Sequence, residues 1–62
     1  MEKVFIVRDV DDKSIYGVYL SRTVAEQWIH EQAVAYVGEE NAGNDDYVRV
    51  ANGYEIVRRF VL

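Results

Sequence analysis

The stretch Tyr47-Val48-Arg49-Val50-Ala51-Asn52-Gly53-Tyr54-Glu55-Ile56-Val57-Arg58-Arg59-Phe60-Val61 decides the fold on paper. Asn-Gly between two β-prone runs is a strong short-range signal for a two-residue type I′ hairpin turn, which needs positive φ at both central residues. Residues 47–51 and 54–61 then read as paired strands. The turn sets Ala51 opposite Tyr54, Arg49 opposite Ile56 and Val48 opposite Val57. The final strand places Tyr54, Ile56, Phe60 and Leu62 on one side, with Arg58 among them. Val57 and Val61 point the other way. Apolar residues on both sides are not what a sheet with one solvated face shows, since such a sheet alternates cleanly.

Upstream of this hairpin the pattern changes period. Ala25, Trp28, Ile29, Gln32, Ala33 and Tyr36 recur at helical spacing and predict a helix over residues 22–37. Ser21 is the expected N-cap and Gly38 the expected C-cap. Further upstream, Val4-Phe5-Ile6-Val7 marks a strand over residues 3–10. A second strand runs from Ser14 to Leu20, where Gly17 signals a bulge or a close approach of another segment. Asp9 to Ser14 forms the turn between them, and residues 38–46 read as an acidic loop. The expectation is α+β: ββαββ, one domain over residues 1–62, with an antiparallel four-stranded sheet and one helix on one face.

Three blocks carry a family likeness. The first is Val4-Phe5-Ile6-Val7. The second is Ile15-Tyr16-Gly17-Val18-Tyr19-Leu20-Ser21 running into Ala25-Glu26-Gln27-Trp28-Ile29, and the third is a closing Tyr54-Glu55-Ile56. Together they resemble small bacterial and phage ββαβ-type domains of unknown function. Those domains share a G-V-[YF]-x-[ST]…A-E-x-[WYF]-I core and a final strand of the type Tyr-x-Ile. The likeness covers about two-thirds of the chain. Its motifs are structural and carry no catalytic residue, and it implies a phage or bacterial source.

Size and charge narrow the options. The chain has 62 residues, no cysteine, no proline and a net charge of −4. That excludes a disulfide scaffold and a cysteine zinc site. For so short a chain, burial and conformational entropy nearly cancel. With no disulfide available, self-association is the expected staple, so a homodimer is predicted. The apolar run at the N-terminus is too short for a signal peptide or a membrane span. The expected location is cytoplasmic, in the host cell if the source is a phage.

The candidate chemical groups are few. Asp9, Asp11 and Asp12 suggest a calcium loop, but Lys13 and Ser14 stand where that loop needs an oxygen ligand and a glycine. A solvated turn fits better. His30 has Glu26 one helical turn away, a spacing that usually makes a surface pair. No cofactor motif, metal set or catalytic constellation is expected.

Charge is also uneven. Residues 1–46 sum to −6 and residues 47–62 to +2. On the expected hairpin, Tyr47, Arg49, Tyr54 and Arg58 share one face. Tyrosine and arginine dominate interface hot spots, and the same pair binds single-stranded nucleic acid on sheets. Net acidity argues against nucleic acid. These four residues are therefore the candidate partner-binding surface of a non-enzymatic protein-interaction module. The expected partners are a second copy and a bacterial protein, and the expected role is a phage-encoded inhibitor of a host or antiviral-defence protein. A nucleic-acid-binding or nucleic-acid-mimicking domain is the alternative.

Overall fold

The computed structural model describes residues 2–61. Strand β1 spans Glu2–Asp9 and β2 spans Ile15–Tyr19. Helix α1 spans Arg22–Val37. A short 3-10 turn at Glu39–Asn41 leads to helix α2 at Asp45–Ala51, and β3 at Tyr54–Val61 closes the chain. The class is α+β, as expected. The architecture is not: the sheet has three strands, in the order β2-β1-β3, and there are two α-helices. The expected placement of Leu62 falls outside the described residues.

The correction lies in residues 45–53. Tyr47 to Ala51, expected as a strand, is the body of α2. The side-chain oxygen of Asn44 accepts a hydrogen bond from the Tyr47 amide at 3.1 Å, which caps the helix. Asp45 and Asp46 fill the first turn and Arg49 the last, the arrangement the helix dipole favours. Asn52 then sits at φ −71° and ψ −10°, in the right-handed region, so it terminates a helix and cannot form a type I′ turn. The Gly53 amide bonds to the Val50 carbonyl at 3.0 Å, and the Gly53 carbonyl accepts from the Val10 amide at 3.1 Å. The Asn-Gly pair thus turns a helix into a strand.

The first two strands and the long helix follow the sequence closely. Helix α1 starts after Ser21 and stops at Gly38, whose φ of 90° is in the region that favours glycine. Ser21 caps through its backbone, with its carbonyl accepting from the Ala25 amide at 3.1 Å. Gly17 lies at the expected bulge, but its close neighbour is Tyr19 of the same strand and not another segment. The register slips between Val7 and Arg8, opposite Gly17 and Ile15. A Cβ on Gly17 would also lie 2.7 Å from the Tyr19 hydroxyl and 2.9 Å from its ring.

Helix α1 packs on one side of the sheet only. Trp28 meets Tyr54 edge-on at 5.4 Å and stacks on Tyr16 at 5.7 Å, while the Arg22 guanidinium lies 5.7 Å above the Phe5 ring. By register the covered side carries Phe5 and Val7 of β1, Gly17 and Tyr19 of β2, and Tyr54, Ile56, Arg58 and Phe60 of β3. Val7, Ala25 and Ala33 are the buried apolar residues at its centre. Helix α2 packs against α1, where the Tyr47 hydroxyl lies 2.6 Å from His30 Nδ1.

The other side holds Val4, Ile6 and Arg8 of β1, Ile15 and Val18 of β2, and Glu55, Val57, Arg59 and Val61 of β3. Among the described residues no helix packs over it. Ile15, Val18 and Val61 are 63%, 57% and 47% exposed, and Leu20 at the end of β2 is 74% exposed.

Candidate functional sites

Two features stand out: the open sheet side and a cleft at the opposite, helical side. On the open side, valines and isoleucines from all three strands line up because every second residue of a strand shares a face, and the bulge in β2 brings Ile15 to the same side as Val18. Polar groups flank this apolar stripe. At one end Arg8 Nε donates to Glu55 at 2.6 Å, and Lys13 Nζ reaches the other Glu55 oxygen at 3.2 Å. The hydrogen bond from Arg8, reinforced by the one from Lys13, holds the Glu55 carboxyl below the usual carboxylate range. At the other end stands Glu2, and Arg59 interrupts the stripe on β3 between Val57 and Val61, opposite Val4.

The cleft encloses about 550 Å³ between the ends of the sheet and of α1. The C-terminal turn of α1 contributes Tyr36, and the segment after it Asn41. Helix α2 gives Asp46 and Arg49, β2 gives Tyr16 and β3 gives Tyr54. Asp9 comes from the end of β1. Its Oδ1 accepts from the amides of Asp11 and Asp12 at 2.8 and 3.3 Å, and its Oδ2 from the Tyr16 hydroxyl at 3.2 Å. Burial, together with the Asp9 carboxylate, pushes the Tyr16 phenol up. Tyr16 and Tyr54 meet edge-on at 5.3 Å and, with Trp28, form a three-ring cluster beside the cleft.

The four residues expected to share one hairpin face are divided. Arg49 and Tyr54 line the same cleft. Tyr47 turns to His30 on α1. Arg58 lies on the sheet with its guanidinium 5.6 Å above the Phe60 ring, away from the cleft. The separation follows from α2: a helix turns Tyr47 and Arg49 about 200° apart, whereas a strand would align them. Sequence reasoning missed Tyr36 and Tyr16 as site residues. Tyr36 sits on the apolar stripe of α1, where core packing is the default reading, yet it is 80% exposed.

The acidic turn behaves as a turn. The Ser14 amide donates to Asp12 at 2.9 Å, and that contact holds the Asp12 carboxyl below its ordinary value. Lys13 takes φ 64° in this tight loop. Among the described residues, no group of three or more His, Cys, Asp or Glu could hold a metal ion. No described helix is long and apolar enough to cross a membrane. Comparison with known proteins finds no matching family model, curated protein or solved structure.

Proposed function

We propose that this chain is a protein-interaction module that works as a homodimer, joined through the open side of its sheet. The uncovered apolar stripe Val4, Ile6, Ile15, Val18, Val57 and Val61 carries the proposal. An exposed patch of that kind, rimmed by charged residues, marks an interaction surface. The described core is small, with Val7 as its largest fully buried side chain. Covering the second side would add the apolar burial that a chain of this size lacks.

Charge selects a second copy as the occupant. The whole chain carries −4, which would repel a second copy across most of its surface. The open side is the exception. Its strand acids are Glu2 and Glu55 and its strand bases are Arg8 and Arg59, so they balance. Face-to-face packing of two sheets leaves the acidic loops outward. Edge-to-edge pairing through β3 is disfavoured, because Arg58 and Arg59 of two antiparallel copies would meet, and edge charges block such pairing.

In this dimer both helical sides face outward, available to a further protein partner. The phage and bacterial likeness suggests a bacterial protein in the cytoplasm as the target class, blocked by occupation of its surface. Nucleic acid has weaker support, since the tyrosines and arginines that suggested it do not share one surface.

Light scattering at micromolar concentration tests the dimer. The expected mass is twice the 7.2 kDa of the monomer. Val18→Glu combined with Leu20→Glu should give the monomer mass with an unchanged far-UV circular dichroism spectrum. A wild-type monomer, or a dimer indifferent to both substitutions, overturns the proposal.

A further inference from the structure

We propose that the cleft between Tyr16, Tyr36, Tyr54, Asp9 and Asp46 receives the cationic side chain, lysine or arginine, of a basic segment in a partner protein. This goes beyond the dimer proposal, because the cleft lies on the helical side of the sheet and does not depend on the open side.

Three observations converge. The first is shape: a cleft of about 550 Å³ is within the range that encloses a ligand group, and an extended basic side chain fits it. The second is the wall chemistry. Three tyrosines line one cleft. The faces of tyrosine rings attract cations within about 6 Å of the centroid. Tyr36 makes no ring pair among the described residues and is 80% exposed, a large aromatic that the fold leaves uncovered at the cleft wall.

The third observation is charge. Among the described residues the Asp9 carboxylate accepts from two amides and one phenol, all neutral donors, and no described cation pairs with it. Glu55 is the contrast, held by both Arg8 and Lys13. Asp46 has one cation, Arg49, at 3.6 Å, and both side chains are largely exposed, so water and salt screen that pair. The tertiary structure also joins two acidic segments that are far apart in sequence. Asp9 belongs to the run with Asp11 and Asp12. Asn41 and Asp46 belong to the run with Glu39, Glu40 and Asp45. Lys13 and Arg49 are the two bases in these segments, so the field at the cleft is negative and steers cations toward it.

An anionic ligand is the competing possibility, since Arg49 is present. The two make opposite predictions for Arg49→Ala. Removing a like charge beside a bound cation tightens binding, whereas removing the one base weakens an anion.

The test uses a blocked peptide of alternating glycine, lysine and arginine, followed by calorimetry and by the fluorescence of Trp28, which stacks on Tyr16. Its control carries citrulline and acetyl-lysine in place of the charged residues. The expected result is saturable binding of the charged peptide and none of the control. Asp46→Asn and Tyr36→Ala should each weaken binding by about threefold or more, as expected for losing one charge or one cation–π contact. Tyr36→Phe should bind like wild type, and Arg49→Ala should bind more tightly. Should Tyr36→Ala fail to fold, Asp46→Asn and Arg49→Ala decide. The proposal is overturned by absence of saturable binding or equal affinity for the control. It is equally overturned by indifference to Asp46→Asn, or by weaker binding in Arg49→Ala.

Discussion

The two sides of β1 are built from the same residue types and meet different fates. Val7 points toward α1 and is fully buried, while Val4 and Ile6 point away and are only half covered. The strand itself does not distinguish them: Val4-Phe5-Ile6-Val7 is apolar without interruption. What distinguishes them is the supply of cover. One sixteen-residue helix can shield one side of a three-stranded sheet, and α2 packs against that helix instead of reaching the other side. Among the described residues, the chain thus leaves apolar side chains on the second side of its sheet exposed.

This contrast can be broken in measurable steps. The largest effect is expected at Val7. Val7→Ala removes two methyl groups from the centre of the covered side, and the cavity should cost about 2–3 kcal/mol. Urea unfolding should show a lower midpoint with an unchanged slope. The same experiment on Val18→Glu, at concentrations dilute enough for the monomer, should shift stability by less than about 0.5 kcal/mol. Equal losses at the two positions would mean the sides are equally covered.

A smaller effect is expected at the cap of α2. Asn44→Ala removes the bond to the Tyr47 amide and should cost about 1 kcal/mol. Because Tyr47 reaches His30 from α2, the His30 ring resonances should move in the NMR spectrum of this variant. Unmoved resonances would mean that α2 holds its place on α1 without the cap.

The smallest effect belongs to the rim of the open side. Glu55 is held below the ordinary carboxylate value by Arg8 and then Lys13. A carboxyl with a depressed folded value contributes stability above its unfolded value, about 4.3, and loses it as pH falls through the folded value. Wild type should therefore be slightly more stable than Glu55→Gln at neutral pH. The difference should vanish in acid below the ordinary carboxylate range. A difference that persists there would mean Glu55 acts through packing and not through charge.

Local signals were legible where they agreed with one another. Over residues 21–38 the apolar period, Ser21 and Gly38 all indicate one helix, and that helix forms with those bounds. Gly17 indicated a bulge or a close approach of another segment, and the bulge is what forms. Over residues 44–53 the signals conflicted. Val48, Val50 and Asn52-Gly53 favour a hairpin, whereas Asn44, Asp45, Asp46 and Arg49 favour a capped helix. The helix forms because Asn44 satisfies an otherwise unpaired amide and because Tyr47 gains a partner on α1. Only the first of those reasons could be read locally. The cleft was less legible still, since its walls come from six separate elements and its tyrosines are spread from Tyr16 to Tyr54.

The sequence by itself determined the α+β class, the first two strands, the bounds of α1 and the surplus of apolar residues on the last strand. Each depends on residues close together in the chain, where periodicity, caps and turn geometry act. Tertiary structure decided that residues 45–51 are helical, that three strands make the sheet, and that Asp9 and Asp46 meet across a tyrosine-lined cleft. These depend on which distant surface a segment meets, and a helix of seven residues is too short to be stable without such a surface.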